Sequence, residues 1–162
     1  MAGSFNHRQE KSLFKKIIAG IAIGCATQLA LASPTTPLTT VNDLERALMS
    51  GANVTVTLDF SKCTNNDVSA APSSTRGGLK IEAFRILANG TISFADHHET
   101  IDSKGLPIMQ ILRYQVKTDG GVAFTMSTFS LPSYSTIPNV AYTCAVNQGV
   151  YFFEDKGPDG RR

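Results

Sequence analysis

Residues 79–117 read LKIEAFRILANGTISFADHHETIDSKGLPIMQILRYQVK, and their punctuation decides the fold. Ala88-Asn89-Gly90 is a hairpin turn, because Asn-Gly accepts the positive φ that a tight turn demands. It joins a strand predicted over 79–87 to a partner predicted over 91–101. Asp102-Ser103-Lys104-Gly105 turns the chain again, into a strand over 106–117. Further on, Thr118-Asp119-Gly120-Gly121 leads to a strand over 122–131. A loop with Pro132 and Pro138 precedes 141–146, and Asn147-Gln148-Gly149 turns into 150–154. Successive strands with short turns, and no helix long enough for a parallel crossover, predict an all-β fold. The expected form is mainly an antiparallel meander, a curved sheet or partly closed barrel. A polar tail is expected over 155–162.

Upstream, residues 61–77 (SKCTNNDVSAAPSSTRG) read as a long loop. Such loops within a compact domain are either mobile or functional, and a mobile surface excursion is the favoured reading. Residues 53–60 before it show the clearest strand alternation, with Val54, Val56, Leu58 and Phe60 against Asn53, Thr55, Thr57 and Asp59. Earlier still, Thr40 stands three residues before Asp43 in a capping-box arrangement. Val41, Leu44, Ala47 and Leu48 share one helical face, and Gly51 offers a stop, which predicts one short packing helix. Residues 33–39 (SPTTPLT) read as a Pro/Thr linker, so the β domain is expected over 40–154.

The first 32 residues read as an address. Arg8, Lys11, Lys15 and Lys16 stand against one acid, Glu10, and an uncharged run (IIAGIAIGCATQLALA) covers 17–32. Its small-x-small end, Ala30-Leu31-Ala32, predicts signal cleavage between Ala32 and Ser33. As a helix the run reaches about 24 Å, short of the ~30 Å hydrocarbon core, so no stable membrane insertion is expected after cleavage. Lipidation at Cys25, after Ile23-Gly24, is a minor alternative.

Of the 162 residues, 15 are Lys or Arg and 13 Asp or Glu, a formal charge of +2. Cleavage removes four bases and one acid, which leaves the mature chain with one acid in excess. Nucleic acid thereby loses its electrostatic argument as a partner. Of the three cysteines, Cys63 and Cys144 remain, and an even pair in an exported chain reads as one disulfide. A periplasmic or secreted protein is expected.

Chemistry, if any, concentrates at Asp96-His97-His98-Glu99. Alternate strand residues share a face, so Asp96 and His98 continue the Ile92/Phe94 face to a sheet rim. A metal could use both, but zinc wants three or four ligands and no other mature histidine than His97 and His98 exists. Acid–base catalysis lacks a nucleophile, since Ser93, Ser103 and Ser130 are ordinary strand or turn residues. A rim binding site would add Arg113 and Tyr114 from the next strand. Against these stands the plain reading that Asp96 and His98 satisfy strand-end hydrogen bonds, and it outweighs them. Tyr114 shares parity with Ile108, Leu112 and Val116 and is expected in the core, as is the Tyr151-Phe152-Phe153 strand. No catalytic set, metal or cofactor is expected.

One order of motifs runs through the chain: the helix and strand over 41–60; Cys63; Gly77-Gly78-Leu79-Lys80-Ile81; and Asn89-Gly90-Thr91-Ile92-Ser93-Phe94-Ala95-Asp96 with His98. It continues through Gly105-x-Pro107, Arg113-Tyr114-x-Val116, Leu131-Pro132-x-Tyr134 and Tyr142-x-Cys144 to Gly149 and Phe152-Phe153. This order resembles the VirK family of exported bacterial proteins. What it implies is an accessory or interaction factor associated with virulence or the cell envelope. It brings no catalytic residues and names no partner, protein or small molecule; the alternatives are a small-molecule-binding β-barrel and, behind it, a hydrolase or metal enzyme using Asp96 and His98.

Overall fold

In the computed structural model, residues 35–157 are described; the predicted signal, the Ala32–Ser33 cleavage point and Cys25 lie outside them. Elements follow in the order β1 (Thr35–Leu38), α1 (Val41–Met49), β2 (Asn53–Asp59), a 3-10 turn (Phe60–Lys62), β3 (Thr64–Asn65), β4 (Arg76–Lys80) and β5 (Phe84–Ile86). Then come β6 (Ile92–Ile101), β7 (Pro107–Val116), β8 (Gly121–Ser130), β9 (Thr136–Val146) and β10 (Gly149–Asp155). The expected all-β class with one short packing helix is observed, as an open sheet curled into a half-barrel.

The helix begins where its cap is encoded. Thr40 is extended, its hydroxyl accepts from the Asp43 N–H at 3.1 Å, and Ser50 and Gly51 (φ +75°) close the last turn. A threonine cap contributes about 1 kcal/mol. Leu44, Ala47 and Leu48 are buried, and the helix packs on β1 and β2. In β2, Val54, Val56 and Leu58 point inward, as the alternation requires.

The strands over β5–β9 form the expected meander. β6 and β7 pair over ten residues, Ile92 with Val116 through Ile101 with Pro107, and β8 continues the ladder. β10 does not extend this meander. It lies between β1 and β2, with Phe152 opposite Leu38 on one side and Val56 on the other. It meets β9 only at a corner, Gly149 beside Ala145 and Val150 beside Val146.

Four sequence expectations need correction. The 33–39 linker is instead mostly β1: Leu38 is buried, and Pro37, which lacks an N–H, is tolerated in a strand with a free edge. The single strand over 79–87 is two strands on opposite ends of the sheet, β4 on β2 and β5 on β6. Inward parity changes between them, from Leu79/Ile81 to Phe84/Ile86, and Ile81 donates its N–H to the Val54 carbonyl at the break. The 61–77 excursion is pinned in its first part: β3 pairs with β9, Asn66 N–H reaches the Ala141 carbonyl, and the Thr143 hydroxyl donates to the Asn66 side chain. Finally, β9 starts at Thr136, includes Pro138 and accommodates a register shift, and Asp155 belongs to β10 and not to the tail.

Among the described residues, aromatic rings pack together inside the half-barrel. Phe94 stacks on Tyr114 at 4.8 Å between ring centroids, Tyr114 meets Phe124 edge-on at 5.0 Å, and Phe152 meets Phe94 edge-on at 6.3 Å. Phe60 stacks on Tyr142 at 4.1 Å beside them. Such ring pairs add about 0.5–1.5 kcal/mol each beyond burial. The predicted disulfide, Cys63–Cys144, closes this side with its Cα atoms 4.6 Å apart. Gly149 lies against it: its φ is +92°, and a Cβ there would meet the Cys63 Sγ at 2.5 Å. Only glycine lets the β9–β10 corner rest on the disulfide.

Candidate functional site

Because directly paired residues share a face of the sheet, the register of β6–β9 sorts the side chains into rows. On the inner face, Phe94, Tyr114, Phe124 and Tyr142 form one row. The next row outward from the core is Asp96, Leu112, Met126 and Val140, and the one beyond is His98, Gln110, Thr128 and Ile137. Leu112, Met126 and Val140 are half-buried and pack on the core. Asp96 and His98 are exposed, and His98 Nε2 lies 2.9 Å from Gln110 Oε1. The result is a shallow trough with an apolar floor and a polar rim.

Asp96 and His98 are therefore brought together on one face, as alternation predicts. Arg113 is not with them. It pairs with Ala95 and Thr125 on the outer face and is exposed, so the rim site expected to combine it with Asp96 and His98 does not assemble. Gln110 carries no mark of its own in the sequence. Its signal was available in the Asp102–Gly105 turn, which sets the register opposite His98. Among the described residues, no three His, Cys, Asp or Glu side chains converge as metal ligands would.

The trough touches the core electrostatically. Burial pushes the Tyr114 hydroxyl up to about 12, and the nearby Asp96 carboxylate adds to the effect. In an unfolded chain the phenol ionises near pH ~10. Below that pH it is neutral in both states and its burial contributes fully. As pH rises from there through about 12, the unfolded chain ionises first and stability falls. Tyr114→Phe is accordingly expected to flatten the alkaline limb of Tm against pH, and an unchanged limb would contradict this assignment.

A second concavity lies beside the disulfide. It is a cleft of about 310 Å³ bounded by Phe60, Cys63, Tyr142 and the segment from Thr64 to Ser73. Asn65 Nδ2 donates to the Tyr142 hydroxyl at 3.3 Å, and Val68 stands fully exposed at its lip. Outside the cleft, Lys62 Nζ sits 2.9 Å from the Tyr151 hydroxyl, and this bond raises its pKa. Among the described residues, no helix is long and apolar enough to cross a membrane.

Comparison with known proteins gives consistent results. The family model described as VirK protein matches residues 37–134. An uncharacterized protein in the pinF2 3′ region of Rhizobium radiobacter is 41% identical over 140 residues, covering 85% of this chain and 97% of that one. The uncharacterized protein y4wH of Sinorhizobium fredii is 40% identical, covering 88% of this chain and 99% of that one. The crystal structure of lpg1832, a VirK family protein from Legionella pneumophila, superposes with a TM-score of 0.66 at 19% identity, over 75% of this chain and 99% of that chain. That likeness carries the fold, and the sequence matches carry the kinship. The resemblance first read from Cys63 and the turn and strand over 89–96 thus becomes a membership: this chain belongs to the VirK family.

Proposed function

We infer that this protein is an exported, non-catalytic accessory factor of the cell envelope or of virulence, which binds a protein partner in the trough of β6–β9. The observation that carries the binding role is the trough itself. Leu112, Met126 and Val140 form an apolar floor beside the solvent, framed by Asp96, His98 and Gln110. A surface of this composition suits contact with another macromolecule. Export is supported by the Cys63–Cys144 disulfide, since such bonds persist in oxidising compartments, and by the signal pattern over 1–32.

The alternative of a ligand-binding barrel is weakened by the aromatic filling of the half-barrel. The cleft by Phe60 and Tyr142, at about 310 Å³, keeps a small-molecule role as the second reading. A photo-crosslinking residue at Met126, in the protein produced in its own bacterium, tests the first. A discrete protein adduct at Met126, absent with the probe at Arg113 on the outer face and lost in Leu112→Lys, is expected. Equal labelling from both faces would overturn the trough as the binding surface. Intact mass of the same material is expected to show a chain starting at Ser33 with no free thiol, and an uncleaved chain with two free thiols would remove the export reading.

A further inference from the structure

The outer edge of β6 is only partly covered. β5 pairs with Ile92–Phe94 alone, whereas β7 pairs with all ten residues of β6 and without a bulge. Among the described residues, no strand lies beside Ala95–Ile101 on the side away from β7. The hairpins fix the phase of the backbone there. Leu87 N–H donates to the Thr91 carbonyl in the β5–β6 turn, and Asp102 N–H donates to the Leu106 carbonyl in the β6–β7 turn. Antiparallel ladders alternate, so the N–H and C=O groups of Ala95, His97, Glu99 and Ile101 face outward, unclaimed by β7.

Edge strands are usually protected by proline, bulges or charge. The free end of β9 follows that rule, with Pro138 and a register shift between Met126 and Thr128 of its neighbour. The edge of β6 has neither device, and it ends on Ile101, which is 67% exposed. Its polar side chains are Asp96, His97, His98 and Glu99, which a suitable register can match, imidazole to carboxylate.

We propose that this edge pairs with the same edge of a second copy, antiparallel, so that two sheets run on as one across a twofold axis at His98. Centring on His98 uses the whole free edge, Ala95–Ile101. It also sets outward-facing residues opposite outward-facing residues, as the ladder requires. Ala95 then faces the second copy's Ile101, Asp96 faces Thr100, and His97 faces Glu99, each pair occurring twice. Centring on Glu99 would set two glutamates face to face. Centring on His97 would leave Thr100 and Ile101 without a partner, because the positions they would need on β6 are already taken by β5. The occupant that fits this edge is therefore another copy of the chain, in one register.

Sedimentation equilibrium of the disulfide-bonded chain over a range of concentrations tests the proposal. A reversible dimer is expected. Glu99→Lys sets lysine against His97 at both symmetric positions and is expected to weaken the dimer by about tenfold. His97→Glu combined with Glu99→Lys sets glutamate against lysine at both symmetric positions and is expected to restore it. His97→Pro removes an N–H that β7 does not use, and is expected to give a monomer with the native circular dichroism spectrum. A chain that is monomeric at every concentration, or a dimer indifferent to both Glu99→Lys and His97→Pro, would overturn the edge pairing.

Discussion

Removing the Cys63–Cys144 bond, by replacing both cysteines with alanine, is expected to lower stability by ~4–5 kcal/mol. The two residues are 81 apart in sequence, so the bond closes a loop over most of the described domain and constrains the unfolded chain accordingly. The native side adds to the loss. Cys144 is buried in the row Ile92, Val116, Val122, Cys144, and Cys63 holds the start of the 64–73 segment against Phe60 and Tyr142. Since a domain of this size is stable by roughly 5–15 kcal/mol, that loss is a large fraction of the total. Urea unfolding followed by circular dichroism, with and without reductant, measures it. The midpoint of the parent is expected to fall in reductant to near that of the variant. A reductant-insensitive midpoint would mean that the bond does not bear on the fold.

The second large effect is expected at Phe152. Its side chain is 1% exposed, lies edge-on to Phe94, and belongs to the strand held between β1 and β2. Phe152→Ala removes a ring from a filled core, and substitutions of that kind cost ~3–5 kcal/mol. The neighbouring Tyr151→Ala supplies the contrast. Tyr151 is only half-buried on the other face, where it meets Lys62, so its loss is expected to cost about 1 kcal/mol or less. Thermal unfolding of the two variants separates the faces of β10. Equal losses at 151 and 152 would contradict the register.

Legibility in the sequence followed the range of the interaction. The three hairpins from β5 to β8 are readable because each turn is marked where it occurs: Gly90, Gly105 and Gly120 all take positive φ at 77°, 79° and 86°. The face shared by Asp96 and His98 follows from simple alternation, and so does the separation of Arg113 from them once Tyr114 is placed inside. The position of β10 between β1 and β2 leaves no local mark, because its partners are about a hundred residues away in sequence. β1 was hidden for a related reason. A Pro/Thr-rich segment has the composition of a linker, and only the edge offered by β10 makes it a strand. β3 is two residues long and shows no periodicity at all. The break between β4 and β5 was visible as a change of apolar parity, a signal that outweighs the apparent continuity of 79–87.

The place of β10 has a consequence for how the protein is made. The ribosome delivers β1 and β2 early, yet both must wait for residues 149–155 before either gains its main partner. Until then Val54, Val56 and Leu38 have no Phe152 to pack beside, and the nascent chain cannot complete its core by folding piecemeal as it emerges. Its core closes only once the last of the described strands has been synthesised.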